Sequence, residues 1–179
     1  MAESARSMSI APADSRQSVA ALCGLLDDLA SVVAPLDVEA YTARPLSHAS
    51  GSIGAHVRHC LDHVGSLLSA QPAAVLSYDH RERGTAVEGD PAEALRRIMR
   101  LKAAFDRWPI GSLEEPILVR AKTSASFDET TMFSTIGREV AFVVSHTIHH
   151  QALISVLLEL LGQAAPDRFG YAPSTPSRS

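Results

Sequence analysis

The strongest constraint on this chain is the stretch from Ile136 to Leu161. It is apolar along most of its length and carries His146, Thr147, Ile148, His149 and His150 at its centre. Nothing inside it breaks a helix: Gly137 stands near the start, and Gly162 is where the helix should stop. A helix turns by roughly 100° per residue, so positions four apart lie one above the other. His146 and His150 therefore point the same way, near the azimuth of Phe142, Val143, Leu153 and Leu157, and both imidazoles should face the interior. Two buried histidines one turn apart are costly unless something satisfies them. A divalent transition metal does so, because neutral imidazole is a borderline ligand. Hydrogen bonds to backbone or water are the other solution, and the pair alone does not choose. A tight site also needs at least a third protein ligand.

A second set of histidines is available to supply it. Ser52 is placed to cap a helix over roughly Ile53 to Ser69, whose apolar arc is Ile53, Val57, Cys60, Leu61, Val64, Leu67 and Leu68. His56, His59 and His63 form a stripe beside that arc, at spacings of three and four. Six of the chain's eight histidines fall in these two helices. Lys, Glu or Gln are the expected occupants of a merely solvated stripe.

The remaining elements read as follows. Residues 1–13 are small and polar with a proline, the composition of a disordered tail. Asp14 or Ser15 then caps an amphipathic helix with Val19, Leu22, Cys23, Leu26, Leu29, Ala30 and Val33 inward, ended by Pro35. Leu36 to Ser52 reads as a loop, and so does Gln71 to Asp90, which contains the unusual segment Tyr78-Asp79-His80-Arg81-Glu82-Arg83. Asp90, Pro91 and Glu93 open a third long helix, to about Trp108, with Leu95, Ile98, Met99, Ala103 and Phe105 inward. Ile117–Val119 and Thr130–Phe133 are β-prone and suggest a short hairpin. Ser134 or Thr135 caps the last helix. Residues 163–179 are a tail whose Phe169 and Tyr171 should pack back on the core. The expected architecture is all-α: a four-helix bundle over residues 14–162, with the hairpin between its third and fourth helices.

Composition narrows the class. The net charge of −4 comes with no basic cluster, which argues against nucleic acid. No run is expected to span a bilayer, no signal-peptide pattern opens the chain, and Cys23 and Cys60 read as reduced core residues. The expected setting is therefore cytoplasmic, away from membranes.

Ser52-Ile53-Gly54-Ala55-His56-Val57-Arg58-His59, followed by His146-xxx-His150-Gln151 on the last helix, resembles the DinB/YfiT superfamily over residues 15 to 160. Tyr78-Asp79-x-Arg81-x-Arg83, Gly137-Arg138-Glu139 and Phe169-Gly170-Tyr171-Ala172-Pro173 look like an uncharacterised bacterial branch of it. The resemblance implies a four-helix bundle, often a homodimer, with one divalent metal (Zn, Ni, Fe or Mn) on three histidines. One comes from the second helix and two, four apart, from the last. His146 and His150 carry over directly. For the third, the family pattern indicates His59, three residues before Asp62. A helical wheel puts His63 and His56 closer to the apolar arc, so both remain alternates. Glu139, two turns before His146, is a candidate to orient a ligand or bound water, or is simply an acid at a helix start. Arg138, Tyr78, Asp79 and Arg81 are further candidates to act around the metal or on substrate.

Three protein ligands would leave positions open for water and substrate, as in catalytic sites. Relatives in this superfamily include thiol-dependent S-transferases, a maleylpyruvate isomerase and proteins described as metal-dependent hydrolases. The implied function is a metal-dependent transferase or hydrolase acting on a small molecule, with a thiol as one candidate. The alternative is a non-catalytic, metal-binding and dimerising stress-response bundle. A di-iron carrier would need bridging carboxylates, and inward carboxylates are too few. Leu157, Leu158, Leu160 and Leu161 suggest more apolar surface than one core uses, which favours a homodimer.

Overall fold

The computed structural model describes residues 12–46, 51–70, 75–79, 84–108, 113–126 and 128–176; the side chains of residues 12–16 lie outside that description. The described residues are mostly helical, with six helices and a small sheet: α1 (Pro12–Val33), α2 (Val38–Thr42), α3 (Ile53–Leu68), β1 (Val75–Ser77), α4 (Ala86–Gly89), α5 (Pro91–Phe105), β2 (Pro116–Ala121), β3 (Thr130–Thr135) and α6 (Ile136–Leu160).

The helix ends follow local chemistry. Ser52 Oγ accepts from Ala55 N at the start of α3, Asp90 Oδ1 from Ala92 N at the start of α5, and Thr135 Oγ1 from Arg138 N at the start of α6. Each satisfies one of the amides that a first turn leaves without a partner. At the far end of α6 the chain turns through Gly162 at φ +72, where Gly162 N donates to Glu159 O and Gln163 N to Leu158 O. The expected cap of α1 at Asp14 or Ser15 is replaced by a start at Pro12, so α1 reaches further back than its capping residues suggest.

Helix α6 packs on α1 and α3, and both of those also pack on α5, so the four long helices close a ring. Leu22, Leu26, Leu29 and Val33 of α1, Ile53, Val57, Cys60, Leu61, Val64 and Leu67 of α3, Ala94, Ile98, Leu101 and Phe105 of α5, and Val140, Val143, Ile154, Leu157 and Leu158 of α6 fill the core between them. On α5 the expected inward face is corrected. Met99 is 62% exposed and Ala103 is exposed, whereas Ala94 and Leu101 are buried. Ala94, Ile98, Leu101 and Phe105 follow the helical three- and four-residue spacing, which Met99 and Ala103 break.

The expected hairpin is present: β2 pairs antiparallel with β3, with Leu118 opposite Phe133 and Val119 opposite Met132. The sheet gains a third strand that the sequence did not suggest, β1, which pairs parallel with β2 through Val75–Leu118 and Leu76–Val119. Ile117 and Val119 face the core, whereas β3 is an edge with Phe133 90% exposed. The loops expected at 36–52 and 71–90 also hold the short helices α2 and α4. Tyr41 of α2 is fully buried and donates its hydroxyl to Val87 O of α4. Gly54 permits this packing, because a Cβ there would fall 2.2 Å from Glu88 O and 2.6 Å from the Tyr41 ring. Arg58 adds an ion pair from α3 to Glu88.

Helix α6 is, by length and composition, apolar enough to cross a membrane: 25 residues with a mean hydropathy of 1.4 over its most apolar window. That corrects the expectation that no stretch would be. Here it is the central packing partner of α1 and α3, with histidines and the buried Gln151 along it. Gln151 donates to Leu25 O of α1. Of the two tail aromatics expected to pack inward, Phe169 does and Tyr171 is 53% exposed. Phe169 is buried, and Gly170, at φ +78, lies so close to Ala152 that a Cβ would sit 2.5 Å from its backbone nitrogen.

Candidate metal centre

Helices α3 and α6 meet along their histidine faces. His56, His59 and His63 descend α3 by successive turns, and His146 and His150 stand one turn apart on α6. Where the two faces meet, five imidazoles form one cluster. Nε2 of His146 lies 2.8 Å from Nε2 of His59, and Nδ1 of His150 lies 2.9 Å from Nδ1 of His56. Ring centroids are 4.5 Å apart for His59–His150 and 4.6 Å for His146–His150.

His59, His146 and His150 each offer a ring nitrogen, and these three atoms lie within 4.8 Å of one another. Nitrogens held at about 2.0–2.1 Å by a tetrahedral ion stand about 3.3 Å apart. The His59–His146 separation of 2.8 Å lies below that value and the 4.8 Å limit of the set above it. The donor chemistry fits. His150 is pushed down to about 3, first by burial and then by positive charge on His146, His56, His149 and His63. His56 is also lowered, by burial first and then by His149. Both are therefore neutral at physiological pH, the form in which imidazole binds a metal.

The alternates take other positions. His56 and His63 are buried, as the helical wheel indicates, and His59 is partly exposed. His63 Nδ1 donates to His59 O, and its ring stacks on His146 at 4.1 Å and on Tyr78 at 5.0 Å, with the latter planes 5° apart. His149 is exposed beside His150.

Glu139 is 2% exposed in the first turn of α6. Its Oε1 accepts from Ser134 Oγ at 2.6 Å and from Arg138 Nη1 at 3.1 Å. It lies roughly 10 Å along the helix from His146 at 1.5 Å per residue, too far to touch a ligand directly. Two stacks connect the two regions. Phe142 stacks on His146 at 5.5 Å, with the Arg138 guanidinium over its outer face, and Tyr78 bridges Phe142 and His63. Glu139 Oε2 and the Tyr78 hydroxyl are both buried, without a bond of good geometry to any described atom. Burial, and then the charge of Glu139, raise the Tyr78 phenol, so it stays protonated. Asp79 is exposed, and its Oδ2 accepts from Lys122 N, which ties the end of β1 to the end of β2. Arg81 lies outside the described residues, as do His48 and His80. Cys60 is fully buried, and burial pushes its thiol up to about 12, which leaves it an inert core residue.

Two arrangements were not legible in the sequence. One is the His56–His150 pair, which needs the relative rotation of α3 and α6. The other is the Tyr78–His63 stack, which needs β1.

No family model matches the chain, and no solved structure matches it. Among curated proteins it is similar to "FK506-binding protein 5" of Rhizopus delemar, with 35% identity over 108 residues. The similar stretch is 60% of this chain and 28% of that protein.

Proposed function

We propose that this protein is a DinB-like four-helix bundle that holds one divalent transition metal on His59, His146 and His150. The carrying observation is the convergence of three ring nitrogens from α3 and α6 within 4.8 Å. The closed ring of α1, α3, α5 and α6 supports the bundle reading. The lowered His150, neutral through burial, is in the form that binds a metal. The FK506-binding name of the Rhizopus protein is not carried over, because the shared stretch is 28% of that protein.

Three protein ligands leave room for water or substrate, so the favoured reading is a metal-dependent enzyme, a thiol-dependent transferase or a hydrolase. When bound, such a metal lowers the pKa of a bound water or holds a thiolate. The chain's own residues supply the surroundings. Phe142, Tyr78 and His63 wall the site with aromatic faces, and Arg138 places an exposed cation over the Phe142 ring. Metal analysis of protein purified without a polyhistidine tag should find about one Zn, Ni, Fe or Mn per chain. His146→Ala and His150→Ala should each remove it while the helical signal is kept. Full metal content in the double variant would refute the site. Activity with a thiol and an electrophile, or with simple esters, separates the enzyme from a non-catalytic metal-binding bundle.

The same reading includes a homodimer. Leu157 and Leu158 are core residues, so on α6 the apolar side chains left about half exposed to a partner are Val156 and Leu160. A monomer by light scattering at micromolar concentration would refute it.

A further inference from the structure

We infer that His56 is a positioning residue: its Nδ1 accepts the Nδ1 proton of His150 and so leaves His150 Nε2 as the nitrogen that faces a metal. This rests on the metal-centre reading above and adds a role for a histidine outside the ligand set.

The two Nδ1 atoms are 2.9 Å apart, so one must carry the proton and the other the lone pair. If His56 donates, the proton of neutral His150 sits on Nε2 and blocks that nitrogen as a ligand. If His150 donates, its Nε2 is a free base and the proton of His56 sits on its own Nε2. One proton position on His56 therefore decides whether His150 can ligate through Nε2. Ligating histidines characteristically donate their second ring N–H to a fixed acceptor, which sets tautomer and orientation. Here the acceptor is an imidazole, from the opposite helix.

Packing makes His56 suited to this. It is 8% exposed in the second turn of α3, and its ring lies 5.1 Å from that of His150. Its Nε2 is buried and has no hydrogen-bond partner among the described residues. The contact to His150 is thus the hydrogen bond that fixes the ring. His59 and His146 meet through their Nε2 atoms at 2.8 Å, so without a metal one of these carries a shared proton, which a bound ion would displace.

The test uses the full chain and zinc. In histidine-labelled protein with one equivalent of zinc, long-range nitrogen–proton NMR should find His150 protonated at Nδ1 and His56 protonated at Nε2. A proton on His56 Nδ1, or zinc bound to His56, overturns the inference. His56→Leu should weaken zinc binding about 10- to 100-fold in chelator competition. His56→Asn, which keeps an oxygen acceptor near the place of Nδ1, should recover most of it. The cobalt-loaded spectrum should be the same in wild type and His56→Leu, because no ligand is lost. Wild-type affinity in His56→Leu overturns the positioning role alone. Absence of zinc binding by the wild type overturns the metal centre and this role with it.

Discussion

His150 is held neutral by burial and by its imidazole neighbours, and that has a direct consequence for acid stability. Its ordinary value of 6.5 applies to the unfolded chain, and about 3 to the folded one. Above pH 6.5 neither state binds the proton. Below it the unfolded chain takes up a proton that the folded chain refuses, so folding loses stability as pH falls from about 6.5 towards 3. His56 is lowered too and acts in the same direction. Thermal melts of chelator-treated protein should therefore drop between pH 7.5 and pH 4.5, and His150→Gln should make that drop shallower. An unchanged drop in the variant would mean that other groups cause it. At this scale the sequence was informative about which histidines gather and less so about how. The helical wheel ranks residues by their angle to the mean apolar direction of α3, and by that measure His56 and His63 are indeed the buried ones. Which ring nitrogens approach those of α6 depends on the angle towards α6, because α3 packs on both α5 and α6. His59, at the edge of the apolar arc, brings its Nε2 to 2.8 Å from that of His146, while His63 lies against the same ring by stacking.

Helices with strong periodicity or clear capping residues were legible within a few residues, and the hairpin was legible from its β-prone runs. The elements that were missed, α2, α4 and β1, are three to five residues long, and each is stabilised by something distant in sequence. Tyr41 of α2 and Val87 of α4 hold each other, and β1 exists because β2 offers it an edge. Glycines test this division between local and tertiary control. Gly54→Ala should destabilise by about 1–3 kcal/mol or more in urea unfolding, since the new Cβ meets the backbone of Glu88. Gly24, in α1, has nothing within 4 Å of the same position. There the helix-forming advantage of alanine is unopposed, and Gly24→Ala should stabilise by about 0.5–1 kcal/mol. Equal effects at the two sites would contradict the described contact between α3 and α4.

For the whole molecule, a metal on α3 and α6 would staple two sides of the helix ring and bind the native state alone. Metal at a hundredfold over its Kd should then add about 2.7 kcal/mol of stability, and chelator should lower the melting temperature accordingly at pH 7.5. Protons compete for the same nitrogens, so the chelator effect should shrink at pH 5. An equal effect at both pH values would place any bound metal elsewhere. The ring also depends on residues beyond its last helix. Phe169 fills a core position, Phe169 O accepts from Ser155 Oγ, and Gly170 lies against the backbone of Ala152 in the second half of α6. In a chain growing from its N-terminus, the outer face of α6 at Ala152 and Ser155 stays unsealed until residue 170 has been added. Until then that face of α6 lacks both the bond to the Phe169 carbonyl and the contact with Gly170, so the last stage of folding waits on the segment that follows the last helix.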